Sequence, residues 1–313
     1  VRAIIGTDPL EAALRLRRGQ LVALPTETVY GLGANALDGA AVSRIFAAKN
    51  RPSFDPLILH QSTPERIFAY ARRVPEEARR LADSLWPGPL TLVLERVAAV
   101  PDLVTSGLDT VALRVPSHPL IREVLEAVDF PVAAPSANPF GFVSPVTAAH
   151  VGEQLGDRID YILDGGPCRV GLESTIVGFP AGRPTVLRKG GTPVEEIEEV
   201  LGQSVDVRTY GSSRPAAPGM LTHHYSPGIR LHLAEETDRS GTAEHAVVRF
   251  GAPAANAFEY SLSESGNLAE AAQRLFTVLR LLAAGGYREA TVPLVPDHGL
   301  GQAINDRLRR ASQ

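Results

Sequence analysis

Cysteine occurs once in the 313 residues, at Cys168. A single thiol excludes a disulfide framework and any multi-cysteine metal site. Methionine and tryptophan also occur once each. No apolar run is long enough to span a membrane. The start of the chain, Val1-Arg2-Ala3-Ile4-Ile5, lacks signal-peptide anatomy, which predicts a cytoplasmic location. Neither sign of charge dominates: 31 basic residues face 35 acidic ones, for a net −4. Bulk attraction to a polyanion is therefore not expected, although a local basic groove remains allowed. There is no G-x-x-x-x-G-K-[ST] phosphate loop. The eight histidines lack metal-ligand spacing, with His223 and His224 adjacent and the rest scattered. No Ser/His/Asp nucleophile signature stands out. What is present is ordinary globular material, 44% apolar and 21% charged, enough to bury a core.

Lysine is nearly absent as well. It appears only at Lys49 and Lys189, and arginine supplies the other 29 basic residues. Each lysine sits in a short basic cluster, Lys49-Asn50-Arg51-Pro52 and Arg188-Lys189-Gly190-Gly191. Either lysine alone reads as a solvated surface residue.

The length predicts about two domains. Asp8-Pro9 marks a helix start and Gly19 its end. Short apolar strands are expected at Leu21–Leu24, Leu57–His60, Leu90–Leu94, Thr110–Val115 and Pro131–Ala134, and near 159–163, 174–178 and 184–188. Helices are expected at 39–49, 75–85, 118–128 and 193–201, with another opening at Ser144-Pro145. This alternation predicts an α/β fold, an open twisted sheet of mixed strand direction. The Pro/Gly-rich stretch Tyr210–Gly219 holds neither a helix nor a central strand and reads as a linker. A second, smaller α/β pattern follows, with strands at 245–250 and Ala290–Val295 and helices at 267–284 and 301–310. The expected division is a first domain over 1–208, a linker over 209–228 and a small Rossmann-like domain over 229–313.

Gly31-Leu32-Gly33-Ala34-Asn35-Ala36 matches a dinucleotide pattern. However, six residues separate it from the preceding strand and no helix opens after it, so the fingerprint does not apply. More informative are polar segments at predicted strand ends, where open α/β sheets place their sites. These are Pro25-Thr26-Glu27-Thr28-Val29-Tyr30-Gly31, Lys49–Pro52 with Asp55–His60, Leu113–Pro116, Ala133–Asn138, Leu172–Ile176 and Leu187–Gly191. Each has a plainer reading. Thr26 or Ser136 is a turn-capping hydroxyl, His60 a satisfied histidine, and Arg114 the partner of an acid such as Glu173. Together, arginines and hydroxyls without a metal cluster or triad suit a phosphorylated nucleotide plus a small carboxylate.

These residues together resemble the threonylcarbamoyl-AMP synthase family, the YrdC-like domain proteins. The resemblance runs through Pro25–Gly33, Lys49–Pro52, Pro56–His60, Trp86–Thr91, Arg114–Pro116, Ala134–Asn138 and Glu173–Val177. The tail, with Pro218-Gly219-Met220 and His224-Tyr225-Ser226-Pro227, is similar to that of the long two-domain members, Ser226 standing for their usual alanine. The resemblance implies a nucleotidyltransferase that makes threonylcarbamoyl-AMP and pyrophosphate from L-threonine, bicarbonate and ATP. A partner tRNA-modifying transferase complex would use the product on tRNA adenosine 37. Magnesium is expected with ATP, through the phosphates, and no metal site on the protein.

Carried over by position, Thr28, His60, Arg114, Ala134 and Ser174 would hold threonine. Lys49, Arg51, Asp55, Thr110, Ser136, Ser144 and Arg188 would hold ATP, with Lys49 and Arg51 as the catalytic cations. Asp55 stands where the family often has asparagine, and Asn50 replaces a common glycine. Residues 209–228 contain Met220, His224 and Tyr225, which a passive spacer does not need. They read as a lid, with His224 and Tyr225 reaching the nucleotide. The alternative is a non-catalytic RNA-binding or maturation module on the same fold. A carbamoyltransferase of the hydrogenase-maturation type needs segments for which this chain has no room. A weak contact with tRNA is compatible with the clustered arginines, and no membrane partner is expected.

Overall fold

Asp8 accepts a hydrogen bond from Leu10 N at 2.8 Å, Pro9 takes the first helical position, and the helix runs Pro9–Arg17. Asp38 caps Gly39–Lys49 in the same way. One expected start is displaced. Ser144-Pro145 opens no helix; the helix is Ala148–Leu155, capped by Thr147, whose hydroxyl accepts from His150 N at 3.2 Å. Gly31 and Gly33 lie inside the strand Gly31–Asn35, antiparallel to Val22–Leu24. In a strand they cannot form a strand-to-helix phosphate turn.

The computed structural model describes residues 2–208, 225–234 and 239–313. It contains an eleven-stranded sheet and a four-stranded sheet. The large sheet is ordered Ile4–Gly6, Tyr161–Leu163, Val22–Leu24, Gly31–Asn35, Val132–Ala133, Ile58–His60, Thr110–Arg114, Leu90–Glu95, Thr175–Gly178, Thr185–Arg188 and Asp206–Val207. Parallel and antiparallel neighbours are mixed, as expected. The edge strands Ile4–Gly6 and Asp206–Val207 were not foreseen. They are short and largely exposed, so they carry little apolar pattern.

Alternation along the strands sorts side chains to two faces. Val111, Leu113, Leu59, Leu92 and Val177 point into the main core, covered by Gly39–Lys49, Glu76–Leu85, Ala148–Leu155 and Val194–Leu201. On the opposite face, one half is covered by Pro9–Arg17 and Pro119–Ala127, which pack on Val22, Leu24, Val132 and Leu163. The other half carries Ile58, Val93, Ala112, Ile176 and Leu187, a cluster to which no helix among the described residues contributes. That half-face is where ligands can approach.

The small sheet is ordered Arg230–Ala234, Glu289–Pro293, His245–Phe250, Glu259–Ser263, and every neighbour is parallel. The strands Arg230–Ala234 and Glu259–Ser263 are additional to those expected. Helices Leu268–Ala284 and Leu300–Ala311 complete the domain. Its apolar residues, including Leu275, Phe276 and Leu308, join the same core cluster as the first domain. The backbones meet closely at Gly171, whose φ is +76°. A Cβ there would lie 2.4 Å from Gln273 Cα, so only glycine allows the long helix to seat.

Candidate active site

Strand register brings the polar strand ends together. Ile58–His60 and Thr110–Arg114 run parallel, with His60 directly opposite Arg114. Ser174 precedes Thr175–Gly178, and its hydroxyl lies 2.8 Å from that of Thr91. Arg188 closes the antiparallel strand Thr185–Arg188, so it returns to Ser174. Its Nη2 donates to Ser174 O at 2.8 Å and to Ser174 Oγ at 3.0 Å. Gly190 permits this return, because a Cβ there would lie 2.2 Å from Glu173 O. The result is a narrow cleft. Thr28, Arg51, Asp55, His60, Arg114, Ala134, Ser136, Ser174, Arg188 and Tyr225 line it, together with Glu173.

Arg114 is held by Glu27, not by Glu173. Its Nη2 donates to Glu27 Oε1 at 2.6 Å and its Nε to Gly88 O at 3.3 Å. Glu27 Oε2 in turn accepts from Ser117 N at 3.1 Å. Arg51 pairs with Asp55 at 2.9 Å and donates to Pro56 O at 2.9 Å. Burial pushes the Asp55 carboxyl up, against the pull of Arg51, Lys49 and Arg188. Its Oδ1 is buried without a hydrogen-bond partner. Burial, with Arg114 beside it, pulls the His60 imidazole down to about 3, so the ring is neutral near pH 7. Nδ1 lies 3.4 Å from Val132 O, which can only accept. A proton on Nδ1 would face that oxygen and leave Nε2 its lone pair. Burial also pulls Arg188 down to about 10, opposed by Glu173.

Three predicted residues do not line this cleft. Lys49 is buried behind it, and its ammonium donates to Ser136 O at 2.5 Å and to Asn138 O. It therefore ties down the Ser136–Asn138 turn, and burial pulls its pKa well below the usual lysine range. Ser144 is also behind the wall, donating to Glu173 Oε1 at 2.7 Å. Thr110 is at the opposite end of its strand from Arg114 and borders a separate depression with Val93 and Leu187. Even so, Thr110, Ala112 and Arg114 share one sheet face, spanning about 13 Å at ~3.3 Å per residue. The Ile58–Leu187 apolar strip lies along that span.

Tyr225 is 1% exposed, with φ +68°, and its hydroxyl is pushed up to about 12 by burial. It lines the cleft from the junction of the two domains. His224 and the rest of the expected lid up to it lie outside the described residues.

Sequence reasoning assigned no role to Glu27 or Arg307, and offered Glu173 only as a partner for Arg114. Glu173 is bonded by Arg307 Nε at 3.0 Å, from 134 residues away. One signal for Arg307 was available: it occupies the apolar stripe Ala303, Ile304, Arg307, Leu308, Ala311 of its helix.

The open mixed sheet, its arginine-lined cleft and the attached parallel domain define a two-domain α/β protein. Residues 15–190 match the Sua5/YciO/YrdC family model, described as "Telomere recombination". Residues 192–313 match the model described as "Threonylcarbamoyl-AMP synthase, C-terminal domain". The chain belongs to this family, in its long two-domain form. It is 43% identical to a threonylcarbamoyl-AMP synthase of Pyrococcus abyssi, over 96% of this chain and 93% of that protein. It is 37% identical to one of Bacillus subtilis, over 96% and 92%. The crystal structure of P. abyssi Sua5 complexed with L-threonine superposes with a TM-score of 0.91 at 38% identity, covering 100% of this chain and 98% of that one. None of the described helices is long and apolar enough to cross a membrane.

Proposed function

We propose that this chain joins L-threonine, bicarbonate and ATP into L-threonylcarbamoyl-AMP, releasing pyrophosphate, as a nucleotidyltransferase. The observation that carries the reading is the single cleft that unites Arg114, His60 and Ser174 with Arg51 and Arg188. The threonine-bound relative supports the first substrate. Threonine's amine takes up the carbon of bicarbonate with loss of water, giving an N-carboxylate. One carboxylate oxygen attacks the α-phosphorus of ATP, the bond to the bridging oxygen breaks, and pyrophosphate leaves.

The residues suit these steps. Arg114, held by Glu27, presents a cation to the amino-acid carboxylate. Neutral His60, with its Nε2 lone pair, accepts from a threonine N–H or O–H. Arg51 and Arg188 offset charge on the phosphates as it grows. Lys49 serves by fixing the Ser136 turn. The apolar strip toward Thr110 offers a floor for the adenosine. Magnesium enters this reading with the triphosphate. Asp55 Oδ1 is a hard oxygen donor of the kind magnesium takes. No group of three His, Cys, Asp or Glu among the described residues is placed to hold a metal alone. Asp55 would thus share the ion with phosphate oxygens, where it would offset phosphate charge. The product is a labile mixed anhydride, suited to immediate use by a tRNA-modifying partner. The test is pyrophosphate release from ATP, which must require both threonine and bicarbonate; release that ignores either one refutes the reading.

A further inference from the structure

We propose that Arg307, in the C-terminal helix, is a positioning residue for the nucleotide side of the cleft, acting through Glu173 and Tyr225. This assigns the second domain a role in the first domain's chemistry, and it rests on the reading that the cleft takes ATP. Arg307 is 0% exposed. Its guanidinium spends its donors on three elements. Nε donates to Glu173 Oε2 at 3.0 Å, Nη1 to Asp306 Oδ2 at 2.6 Å and Nη2 to Lys189 O at 2.9 Å. Glu173 and the chain at Lys189 flank Ser174 and Arg188, so one fork braces both segments that carry them. The same guanidinium lies 5.2 Å from the Tyr225 ring centroid, and Phe276 stacks on that ring at 5.5 Å. Tyr225 is thereby seated in a socket made by the second domain, with its backbone in the left-handed region. A buried aromatic residue at φ +68° persists only where its surroundings over-determine it. Asp306 supplies part of the charge balance for Arg307, so the fork is set before any ligand arrives. Of threonine's proposed anchors, Arg114 and His60 are held by Glu27, Gly88 and Val132 instead, and only Ser174 shares the braced segment.

The two subsites should therefore separate on substitution. In the full chain, Arg307→Met keeps bulk and removes the fork. Arg307→Lys keeps the charge beside Glu173 and serves as the variant that folds if the methionine does not. ATP and threonine affinities are measured by calorimetry, each ligand alone, alongside the thermal midpoint. The expected result is ATP affinity weakened at least fivefold in Arg307→Met and threefold in Arg307→Lys, with threonine affinity, which loses only the support of Ser174, weakened clearly less in both. ATP affinity unchanged in the folded lysine variant overturns the proposal, as does equal weakening of both ligands. Binding of ATP by the unsubstituted chain without pyrophosphate release would refute the synthase reading and leave the Arg307 test intact. No ATP binding at all overturns both.

Discussion

Arg114 and Glu27 form a 2.6 Å ion pair in which both side chains are buried, at the end of one strand and the turn after another. The pair explains how a buried guanidinium persists at the cleft: a buried charge needs a partner and further hydrogen bonds. Glu27 also fixes the direction of the fork, since Gly88 O takes Nε.

Removing Glu27 should therefore act as removing Arg114 does. Glu27→Ala leaves an uncompensated buried charge and should cost about 3–5 kcal/mol of stability, read by urea denaturation. Arg114→Ala and Arg114→Lys should each weaken threonine use by about 2–5 kcal/mol, because neither replaces the planar fork. A threonine titration of pyrophosphate release measures this. Unchanged threonine affinity in Arg114→Ala would return the pair to a purely structural role.

Asp55 gives a metal-specific prediction. Asp55→Ala removes the oxygen donors beside Arg51, one of which the asparagine common at this place in the family would keep. The half-saturating magnesium concentration for pyrophosphate release should rise several-fold while the threonine requirement stays put. An unchanged magnesium dependence would remove Asp55 from the metal.

Acid stability follows from His60 and His150. Burial lowers both in the folded protein, to about 3 and about 4, from an ordinary 6.5. Between those values and 6.5 the unfolded chain binds more protons than the folded one. Stability is thus fully present above about pH 6.5 and falls as pH drops through that window, by at most about 1.4 kcal/mol per pH unit for the buried His60 and by less for the half-exposed His150, which solvent screens. His60→Gln should flatten the slope of stability against pH between 6.5 and 4. A slope identical to that of the unsubstituted chain would contradict the assignment.

Gly171→Ala tests the contact between domains. Its positive φ costs an alanine about 1–3 kcal/mol, and the new Cβ would collide with the backbone at Gln273. Limited proteolysis should then cut the variant faster than the parent. Because Leu275 and Phe276 share a core with first-domain residues, the loss should also appear as a lower thermal midpoint.

Local chemistry made much of this legible. Asp38 and the apolar spacing after it mark Gly39–Lys49, and the polar residues ending apolar strands mark Arg114, His60 and Arg188. What escaped depends on distant partners. Glu27 meets Arg114 across 87 residues, and Glu173 meets Arg307 across 134. Lys49 looks like a ligand-facing cation until Ser136 and Asn138 fold over it. Ser144-Pro145 looks like a helix start, but the cap three residues on, Thr147, wins, and Ser144 serves Glu173 instead. Strand Arg230–Ala234 was missed although Arg230-Leu231-His232-Leu233 alternates polar and apolar, because so short a run beside the Pro/Gly-rich stretch does not stand out.

The central claim is that the cleft builds a carbon from bicarbonate into the link between threonine and AMP. Incubation with ATP, magnesium, L-threonine and carbon-13 bicarbonate, followed by rapid mass spectrometry, tests it directly. The account predicts an adenylate carrying one heavy carbon, absent when threonine is omitted and strongly reduced in Arg114→Ala. An unlabelled threonyl adenylate, or no adenylate at all, would contradict it.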